Sequence, residues 1–97
     1  MISVKVHTRD SERLLAACDG ELLGRTLSEG EMRLKVSETF YGGETISEEA
    51  FRERMKNVTI MNLVGDRTVT MAQDAGYVSP GSVIVIGGVK HAQAVLM

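Results

Sequence analysis

The stretch ISEEAFRERMKNVTIMNLVGDRTVTMAQDAG, residues 46–76, predicts a helix, a strand and a second helix in succession. Ser47 suits the N-cap of the first helix, and Ile46 and Phe51 flank it with the spacing of a hydrophobic staple. The mostly apolar residues 58–64 predict a strand. A strand between two helices favours a fold in which both helices pack on a sheet.

The residues before this stretch predict further strands. Residues 2–8 alternate between apolar and polar side chains, which is typical of a half-buried strand. Residues 13–18 predict a second strand, and Asp19-Gly20 is a hairpin signal with residues 21–25 as the returning strand.

A third alternating segment, residues 32–36, leads into a pair of aromatic residues. Met32 and alternate residues after it should face the core. Adjacent side chains on a strand point to opposite faces. If the strand continues without a bulge, Phe40 faces the core and Tyr41 lies outside, on the side of Arg33 and Lys35.

The last part of the chain predicts two more strands. Asp66 suits the N-cap of the second helix. Further along, residues 83–86 (VIVI) are all apolar, so both faces of a strand formed by them would be apolar. That pattern predicts a central strand covered on both faces, with the helices over that part of the sheet. Residues 89–97 predict an edge strand on which His91 and Gln93 share one face while the intervening alanines pack inward. His91 is therefore expected to be at least partly exposed and near Tyr41.

The length and composition of the chain predict one small domain spanning residues 1–97. The 97-residue chain is 43% hydrophobic and 25% charged, with 11 basic and 13 acidic residues and a formal charge of −2. We predict an α+β fold: a mixed sheet of about six strands with two helices packed on it. The lone cysteine, Cys18, excludes an intramolecular disulfide, and no membrane-spanning or leader segment is evident, so a cytoplasmic location is expected.

Two glycine pairs beside polar and aromatic side chains suggest a binding site, because glycine allows a ligand or a backbone to approach closely. If both pairs lie at the same end of the sheet, their neighbours converge there. The predicted binding residues are Tyr41, Gly42, Gly43, Gly87, Gly88, Lys90, His91 and Gln93. The alternative is that the glycines only form two tight corners.

A basic face is a second possible binding surface. Lys5, Arg9, Arg33 and Lys35 all point away from the core by parity, and Tyr41 would lie beside them if their strands are neighbours. Sheets that bind RNA have such faces. A solvated strand face is the simpler reading, since the chain is net acidic and lacks an aromatic run.

The leading functional prediction is a non-catalytic binding module that contacts RNA, a ribonucleoprotein or a protein partner. The alternative is a small enzyme using His91 as acid or base with Glu38, Glu44 or Cys18. His7, His91 and Cys18 lack the spacing of metal ligands, so neither a metal nor a cofactor is predicted. Pairing through the C-terminal edge strand would give a homo-oligomer.

Four segments in this order resemble a small archaeal family known as domain of unknown function 424: AACDGELLG, SETFYGGE, NLVGDR and GGVKHAQ. The resemblance extends over nearly the whole chain, and FYGG and HAQ are its most specific parts. It implies a stand-alone cytosolic archaeal protein of about this length, and no activity. The family usually has proline at the position of Lys90, where this chain has a mobile cation instead of a rigid corner.

Overall fold

A mixed sheet of six strands forms the centre of the computed structural model, which describes residues 1–96. The strands are β1 (Ile2–Arg9), β2 (Glu12–Asp19), β5 (Glu44–Ile46), β6 (Ile60–Val64), β7 (Ile84–Ile86) and β8 (Val89–Val95). Their order across the sheet is β5-β1-β2-β6-β8-β7. Only β2 and β6 pair in parallel, and every other neighbouring pair is antiparallel. The predicted α+β class with a mixed sheet and two main helices is confirmed.

Each face of the sheet is covered by a different layer. Helices α2 (Glu48–Met55) and α3 (Asp66–Asp74) pack on one side, which we call the helix face. The other side, the ribbon face, is partly covered by helix α1 (Glu38–Tyr41) and by the two-stranded ribbon of β3 (Thr26–Glu29) and β4 (Met32–Lys35). The larger apolar core lies under the helices, because strand residues at alternate positions and the buried sides of both helices meet there. Within residues 1–96, no helix is long and apolar enough to cross a membrane.

Helix α2 begins as its sequence predicts. The Ser47 hydroxyl accepts a hydrogen bond of 3.1 Å from the backbone N–H of Ala50, which satisfies one of the free donors of the first turn. Ile46 and Phe51 both lie in the core beneath the helix, as expected for a staple.

Helix α3 is capped from another element, and the predicted cap at Asp66 is wrong. The Asp19 carboxylate, at the end of β2, accepts hydrogen bonds from the N–H groups of Arg67 (3.2 Å) and Thr68 (2.8 Å). Gly65 has φ +118°, and a Cβ there would overlap that carboxylate. Asp66 instead accepts a hydrogen bond of 2.9 Å from the N–H of Lys90.

The predicted hairpin at Asp19-Gly20 is also wrong. A short 3-10 turn, Gly20–Leu22, follows β2, and β2 pairs with β1 and β6 rather than with residues 21–25. The Asp19 side chain bonds to α3 and is not available to stabilise a hairpin turn.

Strand β4 does not continue to Tyr41, so the parity argument fails. The Ser37 hydroxyl accepts a hydrogen bond of 3.1 Å from the N–H of Phe40 and starts α1 there. Tyr41 is buried, with 2% of its surface exposed, and Phe40 is half-buried. Met32, predicted to face the core, is 49% exposed.

The predicted positions of the last two strands are interchanged. Strand β7, which contains most of the VIVI segment, is an edge strand, and Ile84 and Val85 are 45% and 50% exposed. Strand β8 pairs with β7 over Val89–His91 and with β6 over His91–Val95, so its later residues have an open edge on the β7 side. The reason is the tight turn at Gly87-Gly88, which folds β8 back between its two neighbours.

Candidate functional site

The ribbon face of the sheet divides into a covered part and an open part. Near the ends of β2 and β6 its residues are buried under side chains of the ribbon and α1, including Leu27, Val36 and Tyr41. At the other end of the same strands the ribbon-face residues are half-buried or exposed. We call this the open half-face, and its residues are His7, Leu14, Ile60, Asn62, Gln93 and Val95.

The open half-face has an apolar floor. Leu14 and Ile60 are partners across β2 and β6, and Ile60 in turn lies opposite Val95, which is 69% exposed. Leu14 and Ile60 line a cavity of about 360 Å³ together with His7, Arg9, Asp10 and Glu12. Such a floor can receive apolar side chains from a ligand.

An aromatic wall borders this floor. The rings of His7 and Phe40 are stacked with centroids 4.7 Å apart and 18° between their planes. The His7 Nε2 lies 2.8 Å from the Phe40 carbonyl oxygen, so Nε2 carries the hydrogen and donates it. Phe40 in turn meets Tyr41 edge-on at 4.9 Å.

Tyr41 links this wall to the amide side chains on the floor. Its hydroxyl donates a hydrogen bond of 2.6 Å to Oδ1 of Asn62. Burial, with a smaller effect of Cys18, raises the pKa of Tyr41 to about 12, so the hydroxyl stays a neutral donor. Asn62 lies opposite Gln93 in the β6–β8 register. The bond from Tyr41 orients the Asn62 amide and leaves its NH₂ group to donate to a ligand beside Gln93.

His91 is adjacent to this site but more buried than predicted. Its exposed fraction is 9%, because its Nδ1 donates a hydrogen bond of 2.8 Å to the Leu63 carbonyl oxygen. His91 and Gln93 do share one face of β8, while Ala92 packs in the core, as the alternation predicts. Both line a cavity of about 210 Å³ beside Ile84.

The two glycine pairs lie at opposite edges of the sheet. Gly42 and Gly43 precede β5 and line a cavity of about 280 Å³ with Glu38 and Glu44. Gly87 and Gly88 form the turn between β7 and β8 at the far edge. The predicted single site around both pairs is therefore not formed.

The family model described as "Protein of unknown function (DUF424)" matches residues 6–97. The chain belongs to the DUF424 family. No curated protein matches it. It is similar to the crystal structure of an uncharacterized conserved protein from Methanopyrus kandleri, with 26% identity, a TM-score of 0.78, and coverage of 99% of this chain and 93% of that one.

The predicted basic face is not assembled by strand pairing in this DUF424 member. Lys5 and Arg9 are on β1 in the large sheet, whereas Arg33 and Lys35 are on β4, which pairs only with β3. The amino groups of Lys5 and Lys35 bond to backbone carbonyls, and Tyr41, expected beside them, is buried.

Lys90 points away from the predicted site as well. It lies on the helix face, where its Nζ is 3.3 Å from the hydroxyl of Thr70 in α3. It therefore does not act beside His91 on the ribbon face.

The groups of the catalytic alternative lie apart. Cys18 and His91 are both partners of Val64, on opposite sides of β6, so about 10 Å of sheet separates them. Burial raises the pKa of Cys18 to about 12, and the nearby carboxylates of Asp19 and Glu21 add to this, while a hydrogen bond with Ser3 acts in the opposite direction. The thiol therefore stays protonated at neutral pH. Within residues 1–96, no three His, Cys, Asp or Glu side chains are grouped as a metal site would require.

Sequence reasoning missed Asn62, the residue that joins the wall to the floor. Its signal was a single amide within the otherwise apolar segment IMNLV. With Met61 and Leu63 facing the core, alternation alone places Asn62 on the other face.

Proposed function

We propose that this protein is a non-catalytic binding module that holds an apolar segment of a protein partner on the open half-face. One observation carries this proposal: Leu14, Ile60 and Val95 form a partly exposed apolar floor next to the paired amides of Asn62 and Gln93. Apolar side chains of the partner would contact the floor, and the amides would bond its backbone.

Inserted apolar side chains would supply part of the binding free energy. Burial of one aliphatic side chain contributes about 1.5–3 kcal/mol, so two or three anchors contribute about 3–9 kcal/mol, which is comparable to the cost of association, and hydrogen bonds to the amides must supply the rest. The aromatic wall of His7 and Phe40 is fixed by stacking and by the bond to the Phe40 carbonyl. A preformed wall lowers the entropy cost of binding.

The charge around the floor favours protein over RNA. Among the described residues that line the cavity of Leu14 and Ile60, Arg9 is the one arginine or lysine, and two carboxylates, Asp10 and Glu12, line the cavity with it. Two carboxylates beside one guanidinium give no net attraction for phosphate. The lysines on this side bond to carbonyl groups of the chain itself.

The separation of His91 from Cys18, Glu38 and Glu44 supports a binding role over an acid–base enzyme. Glu44 is also engaged, since it forms an ion pair of 2.7 Å with Arg54. A cytoplasmic location is part of the proposal, and the reduced thiol of Cys18 is compatible with it.

The test is a comparative capture from lysate of the organism that encodes the protein. Tagged wild type is compared with Ile60→Lys, which places a charge on the floor, and with Thr45→Lys, which adds the same charge to the ribbon face at the β5 edge. We expect one partner to be retained by wild type and Thr45→Lys and lost by Ile60→Lys.

A second step identifies the chemistry of the ligand. The captured partner is purified and titrated calorimetrically, and a single-stranded RNA is titrated in parallel. A thermal melt of Ile60→Lys verifies that it folds. Retention of the partner by folded Ile60→Lys, or salt-dependent RNA binding instead of protein binding, would contradict the proposal.

A further inference from the structure

The edge strand β7 has a sequence that does not suit an edge. Residues 84–86, Ile-Val-Ile, present apolar side chains to both faces, and Ile84 and Val85 are 45% and 50% exposed. Proteins commonly protect edge strands with lysine, proline or a bulge. Strand β7 contains no charge and no proline, although it is short. A strand that is apolar on both faces is suited to a position between two other strands.

The backbone of β7 also has one open hydrogen-bonding position. Gly87 and Gly88 have φ of +59° and +81°, as in a two-residue hairpin turn, so the flanking pair Ile86 and Val89 is hydrogen-bonded. The next pair, Val85 and Lys90, is then not hydrogen-bonded. The backbone of Lys90 confirms this, because its carbonyl accepts from Gly65 and its N–H donates to Asp66.

The N–H and C=O of Val85 consequently point out of the sheet. Val83 and Gly87, two residues before and after Val85, direct their N–H groups to the same side, but these groups already have acceptors. The Gly87 N–H donates to Glu29 (2.9 Å), and the Val83 N–H donates to the Pro80 carbonyl (3.3 Å). Outside the strand ladder, no hydrogen bond among residues 1–96 involves the Val85 backbone. The open edge is thus a single position with exposed apolar side chains around it.

We propose that a second copy of this chain pairs with β7, antiparallel and centred on Val85, so that the two sheets become one. In this pairing Val85 and Val85 of the second copy exchange two N–H···O bonds. Ile84 then faces Ile86 of the second copy on the ribbon face. Both copies contribute the same residues, as an isologous two-fold interface requires. The apolar contact comes from Val85 on the helix face and mainly from Ile84 on the ribbon face, because Ile86 is only 4% exposed.

The opposite edge of the sheet, strand β5, is a poor partner for β7, which favours pairing of β7 with itself. Strand β5 exposes Glu44 and Thr45, and Glu44 is held in an ion pair by Arg54 of α2. Pairing of β5 with β7 would set polar side chains against Ile84 and Val85 and would continue into a fibre. Pairing of β7 with itself closes after two copies. Because the shared segment is short, the dimer should depend on concentration.

The decisive measurement is sedimentation equilibrium of the full chain from micromolar to millimolar concentration. Wild type should change from monomer to dimer. Val85→Lys places two ammonium groups opposite each other and should raise the dissociation constant at least about tenfold. Val95→Lys is the matched control, since Val95 is 69% exposed but lies on the open half-face, and it should dimerise like wild type.

Two further variants keep the test independent of folding. Val85→Thr retains a branched strand residue and should weaken the dimer less than Val85→Lys. In Val85→Cys the two Cα atoms would be about 5.5 Å apart, within disulfide range. Oxidised glutathione, which takes up the two electrons and two protons, should link two copies through it, but not through Val95→Cys.

The proposal is overturned if wild type stays monomeric throughout, if Val85→Lys leaves a dimer intact, or if Val95→Lys disrupts the dimer equally. Linking through Val95→Cys instead of Val85→Cys would also overturn it. The proposal is independent of the partner site, because β7 and the floor of the open half-face are changed by different substitutions.

Discussion

The carboxylate of Asp19 accepts hydrogen bonds from both the backbone N–H and the hydroxyl of Thr68, at 2.8 and 2.7 Å. Both residues are buried, so the end of β2 fixes the start of α3 across the sheet. This contact takes the anion position at the helix N-terminus, and a phosphate would have to displace a carboxylate there.

Asp19→Ala is expected to lower the free energy of unfolding by about 2 kcal/mol, because it leaves helix donors and the Thr68 hydroxyl unsatisfied in a buried place. Asp19→Asn retains one acceptor oxygen and should lose less. Urea denaturation at neutral pH measures both. Asp66→Ala is the control, because Asp66 is the exposed first residue of α3 and its side chain accepts only the Lys90 N–H; an equal loss there would contradict the role given to Asp19.

Ser47→Ala is expected to cost about 1 kcal/mol, since its hydroxyl caps α2 through the Ala50 N–H. The denaturant midpoint should fall without a change in the dependence on denaturant concentration. Ser47→Asp keeps an acceptor at the cap and should recover most of the loss. An unchanged midpoint in Ser47→Ala would remove this residue from the capping role.

His91→Ala is expected to destabilise the fold by about 1–2 kcal/mol, because a buried ring and its hydrogen bond to the Leu63 carbonyl are both lost. Surface exposure, as the sequence predicted, would instead give a change within about 0.5 kcal/mol. A thermal melt distinguishes these outcomes. His91→Gln, which can still donate to the carbonyl, should lie between His91→Ala and wild type.

Stability is expected to fall at alkaline pH. The pKa of Cys18 is raised from 9.0 to about 12 and that of Tyr41 from 10.0 to about 12 in the folded chain, mainly by burial. The unfolded chain therefore loses these protons first, and the stabilisation is complete below pH 9 and decreases as pH rises toward 12.

Urea denaturation at a series of alkaline pH values, for wild type, Cys18→Ala and Tyr41→Phe, measures this dependence. Each substitution should make the decline with pH shallower. The Cys18 thiol should also react with an aromatic disulfide reagent only after unfolding. A decline that neither substitution alters would assign the alkaline effect to other groups.

Elements whose signals are local could be predicted from the sequence alone. Alternation placed β1, and the Ser47 cap with its apolar neighbours Ile46 and Phe51 placed α2. These features depend on residues a few positions apart. The apolar–polar alternation of a strand and the N-cap of a helix can therefore be recognised without knowing the rest of the fold. The α+β class follows from the same local signals.

The candidate site could be predicted only in part from the sequence. His91 and Gln93 share a face as alternation predicted, but the burial of Tyr41 depended on whether the chain stayed extended after β4. The chain does not stay extended, because Ser37 caps helix α1 at this point. One local change of conformation therefore moved an aromatic residue from the expected surface to the core.

Two features could not be predicted from the sequence: which strands lie at the edges of the sheet, and which side chain caps α3. The apolar pattern of residues 84–86 is the same whether a neighbouring strand comes from this chain or from another copy. Asp19 and Thr68 are 49 positions apart, and a contact over that separation leaves no local pattern. Strand order and long-range capping are set by how the whole chain closes around the core, because each depends on partners that no short segment contains.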